Sequence, residues 1–258
     1  MSEVPDTQRT SPTKPPPASG AWFEHMPSGN RQFFELSPKR AYVLEGGGEV
    51  ASPQIAYETW GNLDAAAGNA VLVCHALTGD AHAHGDSGPG QPTPGWWNDF
   101  IGPGRPLDTD RYFVVCANVL GGCQGTSGPA SIDPTSGRRW GGDFPIVTVR
   151  DVVRSQRALA QHLGIQRWLA VVGGSMGGMQ ALEWAVSYPN RCGSLVIVAS
   201  TAAASAQQIA WSQVGRQAIL DDPAYQGGHY YDAPLGEGPH RGLANARRIA
   251  MIHYRSGE

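Results

Sequence analysis

The stretch Gly173-Gly174-Ser175-Met176-Gly177 constrains this chain more than any other feature, because it is a G-x-S-x-G between a strand-like apolar run and a helix-like run. A serine at such a junction is held on a sharp turn that lifts its hydroxyl out of the sheet, and the glycines remove side chains that would clash there. The following helix adds free backbone N–H groups and the positive end of its dipole, which favour negative charge beside Ser175. The pattern therefore predicts a nucleophilic serine. The alternative is a turn serine without chemistry.

Charge and hydropathy exclude several classes of partner. A chain of 258 residues can form one sizeable domain, or one domain and part of a second. Its net charge of −3 provides no basic surface for nucleic acid or an anionic membrane. No apolar run approaches the roughly 20 residues that span a bilayer, and the N-terminus lacks the pattern of a signal peptide. We therefore expect a cytoplasmic protein with neither a nucleic-acid nor a membrane partner.

The cysteines carry no signature of metal or redox chemistry. There are four of them, at 74, 116, 123 and 192, and no two form a C-x-x-C pair. Three lie in or beside apolar strand-like runs, where a free cysteine behaves as a small buried hydrophobe. We expect structural thiols and no metal site.

The order of segments along the chain predicts a sheet protein after a polar start. Residues 1–20 are rich in Pro, Ser and Thr, so we expect a disordered tail there. Residues 42–44 and 54–60 alternate in polarity on either side of three glycines, 46–48, which predicts a β-hairpin or meander. Continuous apolar runs predict strands covered on both faces, as in a parallel sheet. These runs are 71–74, 112–116, 168–172 and 195–198.

Helical patterns separate these strands. Thr148 and Asp151 form a capping-box pattern, T-x-x-D, ahead of an apolar stripe at helical spacing, and a second such stripe follows Ser175. Strands that alternate with helices predict an α/β doubly wound sheet. After about residue 201 the sequence becomes rich in Ala and Gln, with a helix expected over 241–254. We interpret this part as the start of a mostly helical insertion.

Acyl chemistry at an elbow serine requires backbone donors for the oxygen that becomes negative. One donor in this geometry is the N–H of the residue after the nucleophile, here Met176, and the other comes from a loop after an earlier strand. The loop His75-Ala76-Leu77-Thr78-Gly79 follows an apolar strand, so we select the N–H of Leu77. We interpret His75 as a structural hydrogen-bonding residue rather than a base. Residues 121–128, GGCQGTSG, lack the ending of a phosphate loop and are expected to line the mouth of the site.

Several segments together resemble the homoserine O-acyltransferase family of the α/β-hydrolase superfamily. The matching segments are HALTG at 75–79, GWWNDFIGPGRPLDTDRYFVVCANVLGGCQGTSGP at 95–129, FPIVTVRDVV at 144–153, GGSMGGMQALEWA at 173–185 and GLANARRIAMIHYRS at 242–256. The resemblance implies an α/β-hydrolase fold with a mostly parallel sheet flanked by helices. Residues 21–204 would form the N-terminal part of its core, and residues 205–258 the beginning of a helical lid.

The resemblance also implies an activity and its residues. An acetyl group would pass from acetyl-CoA to Ser175 and then to the hydroxyl of L-homoserine, an early step of methionine biosynthesis. Leu77 and Met176 would supply the oxyanion N–H groups, and Arg247 matches the family's substrate-binding arginine. A guanidinium can hold the carboxylate of an amino acid through two hydrogen bonds. Arg216 is a weaker candidate for the same role, and Arg247 could instead be a solvated surface charge. We expect no cofactor, with acetyl-CoA as a substrate, and a homodimer.

The sequence departs from the family pattern in its catalytic triad. In the resembled family an Asp and a His follow the nucleophile beyond the lid, whereas this sequence stops at Glu258, inside the expected lid. His229, His240 and His253 follow Ser175 but match lid segments, so none is assigned to the triad. We therefore expect the catalytic Asp and His to be missing from these residues, an apolar strand edge to be exposed, and the 258 residues alone to be inactive.

Three alternatives remain open from the sequence. A serine hydrolase or esterase shares the elbow but delivers the acyl group to water. A succinyl-CoA-dependent transferase acting on homoserine or serine would differ only in its acyl or acceptor pocket. A non-catalytic α/β-hydrolase-like binding module would bind ligand without forming an acyl-serine.

Overall fold

The computed structural model describes residues 14–37 and 40–254. Residues 21–210 form one compact unit, and residues 14–20 with 211–254 belong to a second. The strands are β1 (Gln32–Glu35), β2 (Tyr42–Val43), β3 (Glu49–Val50), β4 (Gln54–Trp60), β5 (Ala70–Cys74), β6 (Ile101–Gly102), β7 (Leu107–Asp108), β8 (Phe113–Ala117), β9 (Ala170–Gly174) and β10 (Leu195–Val198). The α-helices are α1 (Val149–His162), α2 (Met176–Ser187), α3 (Ala206–Leu220) and α4 (His240–His253), and short 3₁₀ turns lie at Gly141–Asp143, Pro189–Arg191 and Pro223–Gly228.

The central sheet has six strands in the order β1-β4-β8-β5-β9-β10. Strands β8, β5, β9 and β10 run parallel, while β4 is antiparallel to both β1 and β8. All five residues of β5 are buried, as the continuous apolar runs predicted. Helices α1 and α2 both pack in the same unit as this sheet, and α2 contacts β5, β9 and β10. The predicted α/β architecture, a mostly parallel sheet flanked by helices, is confirmed.

The predicted hairpin forms, but with a different second strand. Strand β2 pairs antiparallel with β3 across the glycine turn, where the Leu44 N–H donates to the Gly48 carbonyl at 2.8 Å. Residues 54–60 do not join it. They form β4, which lies inside the main sheet between β1 and β8. The prediction for this segment was wrong because its middle residues are buried on both faces. The alternating polarity of the sequence did not indicate burial of both faces.

The second compact unit includes part of the predicted N-terminal tail and begins near the predicted domain boundary. Residues 1–13 of the expected disordered tail lie outside the described residues. Residues 14–20 make contacts within their unit: the Gly236 N–H donates to the Pro16 carbonyl at 2.7 Å, and Ala18 is buried. The boundary between the units falls within α3, a few residues after the expected division at 204 and 205.

The capping box at the start of α1 is present as predicted. The Thr148 hydroxyl accepts a hydrogen bond from the Asp151 N–H, and the Asp151 carboxylate accepts one from the Thr148 N–H at 3.0 Å. This carboxylate is fully buried and also accepts from the Glu45 N–H at 2.9 Å and from the Arg154 guanidinium at 3.1 Å. Asp151 therefore joins the start of α1 to the loop after β2.

We expect Asp151→Ala to lower the free energy of unfolding by about 3 kcal/mol, because it removes a helix cap and leaves the partly buried N–H groups of Thr148 and Glu45 without their carboxylate acceptor. Urea denaturation followed by circular dichroism measures this loss. The exposed Asp86 provides a matched control, and Asp86→Ala should change stability by less than about 0.5 kcal/mol. Equal losses of stability in the two variants would contradict the role of Asp151 as helix cap and hydrogen-bond acceptor.

Strand β10 lies at the edge of the sheet that the structure describes, with β9 as its neighbour. Val196, Ile197 and Val198 are 46%, 39% and 49% exposed. An apolar strand edge is therefore exposed in the described part of the chain, as expected from the sequence. No helix among the described residues has both the length and the apolar character that a membrane span requires.

Candidate active site

Ser175 occupies a sharp turn between β9 and α2. Its backbone has φ 54° and ψ −121°, in the positive-φ region that a non-glycine residue enters at a cost of about 1–3 kcal/mol. The Ser175 N–H donates to the Val198 carbonyl at 3.0 Å, which ties the turn to β10. The side chain is exposed and makes no capping hydrogen bond to α2. The hydroxyl is thus presented outside the sheet, at the end of a parallel strand.

Three glycines make this turn possible because neighbouring atoms leave no room for a side chain at their positions. A Cβ atom on Gly173 would lie 2.2 Å from the Gly177 carbonyl oxygen, and one on Gly177 would lie 2.0 Å from the Cys74 carbonyl oxygen. A Cβ atom on Gly178 would lie 2.5 Å from Cβ of Ser200. The first two glycines belong to the predicted motif, whereas Gly178 was not singled out. The contact of Gly177 with Cys74 brings the end of β5 directly against the first turn of α2.

The Met176 N–H has its direction set by the peptide to which it belongs. The Ser175 carbonyl accepts hydrogen bonds from the N–H groups of Gly178 at 3.0 Å and Met179 at 3.2 Å, and from the Ser200 hydroxyl at 2.7 Å. In a trans peptide the C=O and the following N–H point in opposite directions. The Met176 N–H therefore points away from the body of α2, and the first N–H groups of a helix have no partner within it.

His75 fixes the loop that follows β5. Its ring is buried, with Nδ1 2.7 Å from the Ala76 carbonyl oxygen, and the Val119 N–H donates to Nε2 at 3.1 Å. Because Nε2 accepts, the proton lies on Nδ1, which donates to Ala76. Burial lowers the pKa of His75 and keeps the ring neutral. Both ring nitrogens are occupied, so the interpretation of His75 as a structural hydrogen-bonding residue is confirmed.

The same contacts orient the Leu77 N–H. The Ala76 carbonyl accepts from the His75 ring and from the Gly79 N–H at 3.0 Å, so the opposite end of that peptide, the Leu77 N–H, is also fixed. Leu77 and Met176 line one cavity of about 440 Å³. Residues 121–123 of the glycine-rich segment line it too, in agreement with the expected loop at the mouth of the site. The structure thus brings the two predicted donor residues to the same cavity.

Arg247 belongs to the other compact unit. It lies on α4 with an exposed side chain, and Arg216 is exposed on α3. His253 contacts Trp211 in the same unit, with tilted rings whose centroids lie 5.4 Å apart. The proposed contact of Arg247 with substrate stays a prediction.

The thiols are free, and two of them are deeply buried. Cys74 in β5 and Cys116 in β8 are in the core, where burial raises the pKa of both thiols. Buried thiols of raised pKa are poor nucleophiles and metal ligands. No group of three or more His, Cys, Asp or Glu side chains suited to a metal ion occurs in the described part of the chain.

Sequence reasoning did not find two buried amides next to the elbow. Gln156 on α1 and Gln180 on α2 are each 1% exposed. The available signal was a polar residue at a core-facing position of a helix, since such a residue must find hydrogen-bond partners. Their partners lie far away in sequence, so the pattern alone could not identify them.

Comparisons with known proteins agree with this geometry. A family profile described as alpha/beta hydrolase fold matches residues 69–250. The chain is 57% identical over 251 residues to a protein of Clavibacter michiganensis subsp. michiganensis named homoserine O-acetyltransferase, covering 97% of this chain and 64% of that protein. It is also 57% identical over 243 residues to a homoserine O-acetyltransferase of Thermobifida fusca, covering 94% and 63%. The chain thus spans less than two thirds of the length of these curated relatives.

Solved structures of two kinds of enzyme are similar to the chain. The crystal structure of homoserine O-acetyltransferase from Bacillus anthracis matches with a TM-score of 0.76 and 34% identity, over 86% of this chain and 59% of the other. Esterase E22 matches with a TM-score of 0.78 and 33% identity, over 88% and 62%.

Proposed function

This chain belongs to the α/β-hydrolase fold family, and on that premise we propose that the intact protein is a homoserine O-acetyltransferase. The observation that carries the proposal is the strained Ser175 turn, with φ 54°, next to a cavity lined by Leu77 and Met176. The 57% identity to proteins named for this activity supports the choice of acyl group and acceptor.

The proposed reaction has two steps. The Ser175 hydroxyl oxygen attacks the thioester carbonyl of acetyl-CoA, the C–S bond breaks, and CoA leaves as the thiol after taking up the serine proton. The hydroxyl of L-homoserine then attacks the acetyl-serine ester, which restores Ser175 and releases O-acetylhomoserine. Each proton transfer needs a histidine base oriented by a carboxylate, and no described residue is assigned to either role.

Backbone donors would stabilise the negative oxygen formed in both steps. We assign this role to the N–H groups of Leu77 and Met176, and one such donor typically contributes about 3–4 kcal/mol to the stabilisation of the transition state. We assign Arg247 to the carboxylate of homoserine, because a guanidinium matches a carboxylate through two parallel hydrogen bonds. The proposed chemistry requires no metal or prosthetic group, because acetyl-CoA takes part as a substrate.

We also propose a cytoplasmic homodimer. The four free thiols support a reducing compartment, in which disulfides are rare. The dimer follows from the resemblance to the family. Light scattering on the intact protein measures its oligomeric state.

The proposal is tested by incubating the intact protein with acetyl-CoA, with and without L-homoserine. We expect CoA release beyond one equivalent per Ser175 to require homoserine, O-acetylhomoserine to form, and the Ser175 peptide to gain one acetyl group when homoserine is omitted. Succinyl-CoA and L-serine serve as competing substrates. Faster turnover with either of them would reassign the acyl donor or the acceptor.

Esterase activity is the second candidate, favoured by the similarity to esterase E22. An esterase would release the acyl group to water at the same rate with and without homoserine, and it would prefer a simple acetyl ester to acetyl-CoA. A binding module without catalysis would bind homoserine or CoA in calorimetry but leave Ser175 unacylated.

A further inference from the structure

Three buried side chains form a hydrogen-bonded relay beneath the loop that carries Leu77. The Trp184 indole N–H donates to Oε1 of Gln156 at 2.8 Å, and Nε2 of Gln156 donates to Oε1 of Gln180 at 2.7 Å. Nε2 of Gln180 then donates to the His75 carbonyl at 3.1 Å. Trp184, Gln156 and Gln180 are at most 1% exposed, so water does not compete for these groups.

The direction of this relay is fixed at both ends. An indole N–H only donates, so it must face the oxygen of the Gln156 amide, and the Gln156 NH₂ must then face the oxygen of Gln180. A backbone carbonyl only accepts, which requires the NH₂ group of Gln180 at the far end. Each amide therefore has one orientation that satisfies its neighbours, and the Gln180 NH₂ is held toward the loop after β5.

The relay ends on backbone that adjoins both predicted donors. Nε2 of Gln180 lies 3.1 Å from the His75 carbonyl oxygen and 3.4 Å from the Met176 carbonyl oxygen, so one amide contacts the β5 loop and the first turn of α2. Gly177 brings these two segments together, since a Cβ atom there would lie 2.0 Å from the Cys74 carbonyl oxygen. The His75 ring holds the next carbonyl, that of Ala76.

We propose that Gln180 is a positioning residue for the oxyanion site: held by Gln156 and Trp184, it fixes the peptide of the His75 carbonyl and so restrains the next peptide of the loop, which carries the Leu77 N–H. Consecutive carbonyls of the loop are then restrained by the Gln180 amide and by the His75 ring. Buried amides are costly unless every partner is satisfied, and an apolar residue would fill the same helix position without that cost. The inference rests on the acyl-serine chemistry of the proposed function but not on the identity of its acceptor.

The test uses Gln180→Met in the intact protein, because methionine keeps the length of the side chain but not the donor. We expect kcat for acetyl transfer to fall by about 10- to 100-fold, which is less than the effect of removing a whole oxyanion donor. The KM for homoserine should change by less than about twofold, because the interaction stabilises the transition state and not the bound substrate. The rate at which a fluorophosphonate labels Ser175 should fall in parallel, since its phosphoryl oxygen occupies the same site. Trp184→Phe should lower both rates by a smaller factor, because Gln156 is then free to rotate.

Gln91→Met is the matched control. Gln91 is also a buried amide, and its NH₂ donates to Glu58, away from the elbow. We expect this variant to lose stability like Gln180→Met, while kcat and the labelling rate stay within about twofold of wild type. Gln180→Met with lowered stability but wild-type kcat and labelling rate would overturn the inference.

Failure of the proposed function would be distinguishable from failure of this inference. A wild-type protein that reacts with fluorophosphonate but does not acetylate homoserine would refute the transferase activity. Slower labelling of Gln180→Met would still support the positioning role in that case. A wild-type Ser175 unreactive toward both acetyl-CoA and fluorophosphonate would overturn the two proposals together.

Discussion

Ser175→Ala is expected to lower kcat for acetyl transfer in the intact protein by about 10⁵- to 10⁶-fold, the loss typical of a removed serine nucleophile. The exposed hydroxyl at the β9–α2 turn is the atom that forms the acyl intermediate in the proposed reaction, so neither CoA release nor an acetylated peptide should be detected. Mass spectrometry after mixing with acetyl-CoA, together with a steady-state assay of O-acetylhomoserine, measures both effects.

Ser175→Gly separates the chemistry of this residue from its backbone strain. It should be as inactive as Ser175→Ala, yet more stable than the alanine variant by about 1 kcal/mol, because glycine adopts φ 54° without the penalty that a Cβ atom imposes. Acetyl transfer by the alanine variant within tenfold of wild type would contradict the assignment of Ser175 as nucleophile. Equal free energies of unfolding for the two variants would contradict the presence of backbone strain at Ser175.

Local patterns predicted those parts of the fold that depend on neighbouring residues. The capping box of Thr148 and Asp151 and the elbow at Ser175 each follow from a few adjacent residues, so both were visible in the sequence. The apolar runs also predicted β5, β8, β9 and β10 to within about two residues of their ends, the usual uncertainty of element boundaries.

Features that depend on long-range pairing could not be read in this way. Residues 54–60 carry an alternating pattern, but their place between β1 and β8 depends on partners 19 to 60 residues away. The amide of Gln180 contacts His75, 105 residues earlier, and Gln156, 24 residues earlier. A single sequence contains no information on such contacts beyond the requirement that a buried amide be satisfied. Arg247 remains a prediction because it lies in the other compact unit.

Gly177→Ala is expected to reduce kcat by at least about 100-fold and to lower the free energy of unfolding by about 2–4 kcal/mol. The added Cβ atom would lie 2.0 Å from the carbonyl oxygen and 2.8 Å from the carbonyl carbon of Cys74, and 3.2 Å from the His75 carbonyl oxygen. All three atoms belong to backbone, which cannot rotate away as a side chain can. Relief of the clash must separate the β5 loop from α2, and this moves the Leu77 N–H relative to the Met176 N–H.

Gly174→Ala is the matched control, since it makes the same substitution three residues earlier in the motif. Its Cβ atom would lie 3.6 Å from the nearest atom, the Val198 carbonyl oxygen, an ordinary van der Waals distance. Stability and kcat should therefore stay close to those of wild type, as urea denaturation and the acetyl-transfer assay would measure. Both glycines lie within two residues of the same serine and neither has a positive φ, so an added Cβ atom differs mainly in whether it meets the Cys74 backbone. Equal losses in both variants would mean that the elbow tolerates no side chain at all, and the close approach of β5 to α2 would then not be what sets the oxyanion geometry.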